Sequence, residues 1–91
     1  MKRPRSEQAL HERTGRKNIT GERIKTLRLE RHPAWTMELL AVNLERITGV
    51  ELSISTIDRI EKGRRSVYDY EVVAFAQTLE VSVGALLEPN A

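Results

Sequence analysis

Cysteine is missing altogether from this chain. Neither a disulfide framework nor a thiolate zinc site can hold it together, so helix packing has to supply the stability. A reducing, cytoplasmic setting fits. Long hydrophobic runs are also missing: the longest, Val72-Val73-Ala74-Phe75-Ala76, is far too short to cross a bilayer. The basic residues at the N-terminus have no apolar run behind them, so neither secretion nor a membrane span is expected. There is no glycine-rich phosphate loop and no nucleophile motif. The two histidines, His11 and His32, have no carboxylate pair or ligand spacing near them, and they read as solvated or packing residues. These absences argue against an enzyme, a metal and a cofactor. No strand signal competes with the helical pattern, and no internal repeat occurs.

Charge of one sign is lacking over the whole chain, whose formal net charge is only +2. Locally the balance is uneven. Residues 1–18 hold Lys2, Arg3, Arg5, Arg13, Arg16 and Lys17 against Glu7 and Glu12, a balance of +4, which leaves −2 for the remainder. A nucleic-acid reading therefore cannot rest on bulk charge. Residues 1–18 are polar, lack a sustained apolar period and contain Pro4 and Gly15, so they are expected to be a flexible, disordered basic tail. Such a tail serves either as an arm that tracks phosphates or enters a minor groove, or as a solvated leader. The 91 residues make one small domain with a modest core, expected over residues 19–88.

From Thr20 onward the apolar residues recur at helical spacing, divided by turn and cap signals into five elements. The first helix is expected from Thr20 to Arg31 with Ile24 and Leu27 inward, ended by the turn His32-Pro33-Ala34-Trp35. Trp35 reads as a core plug between the first two helices, with a stacking role as the alternative. Thr36 caps the second helix, on which Leu40, Ala41, Leu44 and Ile47 share a face, and Gly49 closes it. Asp69 is expected to cap the fourth helix, whose Val72, Val73, Phe75, Ala76 and Leu79 make a wide apolar face suited to the centre of a bundle. Ser82 caps a short last helix bearing Leu86 and Leu87, and Pro89 stops it.

The third helix is the most informative stretch. Ser53 is placed to accept the first free backbone donors, Ile57 and Ile60 recur on one face, and Gly63 supplies a left-handed stop. The opposite face carries Ser55, Asp58 and Arg59, and Lys62, Arg64 and Arg65 follow at the exit. Two helices joined by a glycine-containing turn can be any helical hairpin, and periodicity alone does not imply DNA.

The residues themselves resemble the helix-turn-helix domain of phage repressors and Cro proteins, the XRE family. The resemblance covers about residues 20–87. It rests on Ile24 and Leu27-Arg28, on Thr36 to Leu40-Ala41, on Ser55-Thr56-Ile57 with Arg59-Ile60-Glu61-Lys62-Gly63, and on Tyr70-Glu71-Val72-Val73-Ala74-Phe75-Ala76 through Leu79, Val81 and Leu86-Leu87. It implies an all-α, compact five-helix bundle of the lambda-repressor-like type whose third helix, about residues 54–62, enters the major groove. Carried over position by position, it implies base contacts from Ile54, Ser55, Thr56 and Arg59, and phosphate contacts from Thr36, Met37, Ser53, Lys62, Arg64 and Arg65. Arg59 suits a bidentate contact to guanine, Ser55 can donate or accept, and Ile54 can pack on a thymine methyl. Against these stand an Arg59 paired with Glu61 or Asp58, and an Ile54 that only staples the helix cap. Asp58 is expected to orient Arg59 or to exclude bases. The resemblance also pairs Glu61 with Arg28 in an architectural salt bridge between helices 1 and 3.

Three departures bear on the DNA register. The 20 residues from Ala41 to Glu61 exceed the spacing in compact members, so a longer second helix and an extended turn are expected, as in a longer-turn subgroup. Met37 stands where a phosphate-holding glutamine is usual, and Ile54 where a polar or arginine residue is. The expected function is a sequence-specific regulator, a repressor, acting as a homodimer on a palindromic double-stranded operator with the seam at Val83–Leu87 and contributions from Tyr68 and Tyr70. The alternative is an antitoxin or adaptor whose main partner is another protein, such as a toxin.

Overall fold

The computed structural model describes residues 15–88, and over these the chain is all-helical. The five helices of this region are α1 (Gly21–Leu29), α2 (Met37–Thr48), α3 (Ile54–Glu61), α4 (Asp69–Leu79) and α5 (Val83–Leu87). None is long and apolar enough to cross a membrane. Residues 1–14, which carry most of the expected tail and His11, lie outside the described region, as does Pro89.

Short polar side chains start the helices where free backbone N–H groups need acceptors. Thr36 accepts from the Leu39 N–H (3.1 Å), Ser53 from Thr56 (3.1 Å) and Ser82 from Ala85 (3.1 Å). Two starts differ from expectation. Thr20, expected as the first residue of the helix, occupies the cap position of α1 without using its hydroxyl, whose buried oxygen has no hydrogen-bond partner among the described residues. Asn18 does the capping instead, its Oδ1 accepting from the Gly21 N–H at 2.7 Å. On α4 the cap position belongs to Tyr68, not Asp69: the Glu71 carboxylate reaches back to the Tyr68 N–H (2.9 Å), and Asp69 lies inside the first turn. An acceptor three residues into a helix can reach the cap N–H, and here it displaces the nearer candidate.

Helix ends follow the glycine rule where it applies. Gly49 (φ +79°) closes α2, returning its N–H to Glu45. Gly63 (φ +72°) ends α3 with the paired bonds Gly63 N–H to Ile60 and Arg64 N–H to Arg59 that satisfy two terminal carbonyls.

The core takes at least one fully buried apolar side chain from each helix: Ile24, Leu40 and Leu44, Ile57 and Ile60, Phe75, and Leu86. Helix α4 is central and packs on α1, α2 and α5. Its burial is so extensive that only Asp69, Tyr70, Val73 and Gln77 of the helix remain exposed, and this open strip is where Val73 lies rather than in the core. Ile47 is also exposed, although its spacing from Leu40 puts it on the same side of α2, because the final turn of that helix lies beyond the covered stretch. Leu87 is exposed while Leu86 is buried. Trp35 is partly buried against the core with the Arg31 guanidinium 4.2 Å above its ring, so it plugs and stacks at once.

Candidate functional site

Helix α3 has an inner face that is locked and an outer face that is not. Ile57 and Ile60 are fully buried, whereas Ser55 and Arg59 are exposed and Thr56 and Asp58 half-buried. Five residues, 49–53, join it to α2. The twelve-residue α2 and this turn account for the long spacing seen in the sequence.

The lock is an ion pair. Arg28 donates from Nε to Glu61 Oε2 and from Nη2 to Glu61 Oε1, both at 2.8 Å, while its Nη1 reaches the Trp35 carbonyl at 2.8 Å. Both partners are buried, with side chains 7% and 1% exposed. The hydrogen bond to Glu61 raises the Arg28 pKa above its ordinary value and outweighs desolvation, which acts the other way. A bidentate pair of this kind fixes angle as well as distance, so α3 is held at a set rotation against α1.

A second tether, unforeseen in the sequence, joins residues 16–18 to the C-terminal end of α3. Arg16 Nη2 donates to the Glu61 carbonyl (2.8 Å), the Lys17 N–H to the Gly63 carbonyl (2.8 Å), and Asn18 Nδ2 to the carbonyls of Ile60 (3.0 Å) and Arg65 (2.8 Å). Residues 16–18 are therefore built into the domain rather than belonging to a disordered tail. The approach is so close that a Cβ on Gly21 would overlap the Ile60 carbonyl oxygen. The signal in the sequence is Asn18 three residues before Gly21, within hydrogen-bond reach of the first free backbone N–H of the helix.

The expected contact residues separate into three groups. Arg59 and Arg64 are exposed, and among the described residues their side chains form no ion pair or hydrogen bond. Ile54 is 48% exposed at the first turn of α3. Ser53 and Thr36 are exposed but their hydroxyls already cap helices, and Met37 is half-buried against the core. Lys62 pairs with Asp58 one turn back (3.1 Å), so Asp58 engages Lys62 and not Arg59. Arg65 differs from expectation most: its Nη1 and Nη2 bind the buried Glu71 carboxylate at 2.9 and 3.0 Å and its Nη1 also the Ser66 carbonyl. A buried carboxylate needs a cation, and Arg65 is the one within reach.

Charge is distributed along α3 with a polarity. Its C-terminal end gathers exposed Lys17, Arg59, Lys62 and Arg64, whereas the turn leading to its start carries Glu51 beside Glu45 in a cleft lined by Ala41, Val42, Leu52 and Ser53. The hydrogen bond with Glu51 raises the Glu45 pKa, with like-charge repulsion adding to it. Among the described residues no group of three or more His, Cys, Asp or Glu side chains is placed to hold a metal ion. In comparisons with known proteins, no family model, curated protein or solved structure matches the chain.

Proposed function

We propose that the protein is a sequence-specific double-stranded DNA-binding regulator, a repressor of the helix-turn-helix type, acting in the cytoplasm as a homodimer on a palindromic site. In this reading α2 and α3 are the two helices of the motif and α3 enters the major groove. The observation that carries it is the state of Arg59. It projects from the outer face of a helix whose inner face and rotation are fixed, and among the described residues no side chain engages its guanidinium. A rigid helix presenting an uncommitted arginine, with Ser55 one turn before it, suits readout of a guanine and its neighbour. Lys62 and Arg64 then meet flanking phosphates, Thr56 and Ile54 lie against base edges, and Arg65 serves the fold.

The alternative, a module for a protein partner such as a toxin, finds support in the start of α3. There Ile54 is exposed and Val42 lies with Glu45 and Glu51 in the cleft beside Ser53, a mixture of apolar and acidic surface that phosphates would avoid. Selection of bound sequences from a random double-stranded pool separates the two readings. Enrichment of a palindrome whose binding weakens steeply with salt supports the regulator; no enrichment, with salt-insensitive capture of a protein, supports the module.

A further inference from the structure

We propose that the first turn of α3 reads the C5-methyl group of a pyrimidine, binding thymine over uracil and 5-methylcytosine over cytosine, so that cytosine methylation at that position strengthens binding. The inference rests on the DNA-binding reading and deepens it. Ile54 opens α3 with 48% of its surface exposed. Ile57, three residues on, is fully buried and already fills the inner face of this turn, so Ile54 has no core position to take.

The hydrogen-bonding groups beside Ile54 are mostly committed to one another. Ser53 Oγ accepts the Thr56 N–H (3.1 Å) and donates to Thr56 Oγ1 (2.9 Å), so the two hydroxyls face each other. Among the described residues the exposed Ser55 hydroxyl forms no hydrogen bond. A hydroxyl rotates to donate or to accept, however, and so serves the thymine O4 and the cytosine N4 amine equally well. The 4-position of a pyrimidine is therefore not distinguished at this turn, and the 5-position is. Residues 54–57 carry no charge, and the cleft beside Ser53 holds Glu45 and Glu51, which repel phosphate. Contact at the start of α3 thus gains from apolar burial rather than from charge. In the major groove the C5-methyl is the apolar feature that a pyrimidine presents. An exposed isoleucine laid on it removes both surfaces from water.

The experiment measures binding of the unaltered protein and of Ile54→Ala to the selected duplex, with each thymine of one half-site replaced in turn by uracil. At the position that responds, the T·A pair is then exchanged for C·G and for 5-methylcytosine·G. Thermal unfolding checks the fold of the variant, and the base exchanges on the unaltered protein test the methyl contact whether or not the variant folds. At one position uracil should bind about fourfold more weakly than thymine, and 5-methylcytosine about fourfold more tightly than cytosine, the effect of burying one methyl group. In Ile54→Ala both ratios should fall towards one. Equal binding of the thymine and uracil duplexes at every position overturns the methyl contact while leaving the DNA-binding reading standing. Undiminished ratios in folded Ile54→Ala overturn the assignment to this turn. Failure of the unaltered protein to select any duplex overturns the inference together with the reading beneath it.

Discussion

Arg28 satisfies three acceptors with one guanidinium, two on Glu61 and one on the Trp35 backbone. Removing it leaves a buried carboxylate without a partner, and Arg28→Ala is expected to destabilise the fold by about 3 to 5 kcal/mol in chemical denaturation. Replacing both partners by apolar residues of similar size, Arg28→Met with Glu61→Leu, should be less damaging than either single change, since no charge is then stranded. Glu45 behaves differently because its neighbour has the same sign. Its pKa is raised in the folded state by sharing a hydrogen bond with Glu51. The folded state then binds the proton more tightly, so the favourable contribution is present at acid pH and is lost as pH rises through the raised value. Glu45→Gln should therefore raise the melting temperature at neutral pH and bring little change at acid pH, as thermal scans at the two conditions would report.

Among helices, α3 carries the functional argument through the difference between its faces. Under the proposed function, Arg59→Ala should reduce discrimination at one base position by about 1 to 3 kcal/mol, measured against a panel of altered duplexes. Arg64→Ala should weaken all sequences alike and lower the salt slope by about 1. If Arg59→Ala leaves the preferred sequence intact, the base-contact assignment is wrong. The helix starts and stops were largely legible because they depend on a few contiguous residues: Thr36, Ser53 and Ser82 offer hydroxyls at the right offset, and Gly49 and Gly63 tolerate positive φ. Two starts were not legible, at Asn18 and Tyr68, because in each a second acceptor competed with the obvious one. Val73 was misplaced for a related reason. On a helix covered on nearly all sides, apolar character no longer distinguishes the covered faces from the one open strip.

For the molecule as a whole, the exposed apolar side chains that bear on assembly are Tyr68 and Tyr70, stacked with ring centroids 5.9 Å apart, together with Val73 and Leu87. They lie on α4, at its start and on α5, where the homodimer seam is proposed. A palindromic site demands two copies, and sedimentation on the selected duplex should give two chains per site. Tyr70→Glu with Leu87→Glu should shift that to one and weaken binding by about tenfold or more, in keeping with the loss of a second half-site. A single chain per duplex in the unaltered protein would remove the dimer.

The sequence by itself determined the five helices, most of their caps, the two faces of α3 and, through the family resemblance, the partnership of Arg28 with Glu61. These follow from spacings of three and four residues and from turn chemistry, which need no knowledge of distant parts of the chain. Only the tertiary structure decided that Arg65 serves Glu71, that residues 16–18 fasten to the end of α3, and that Ile47 and Val73 face outward. The tether of residues 16–18 depends on segments that meet across more than 40 residues, the Arg65–Glu71 pair on how the turn between α3 and α4 folds back, and the outward faces on which parts of a helix its neighbours leave uncovered. Buried charges and unpaired carbonyls take the partner that packing brings within reach, and local spacing does not encode that choice.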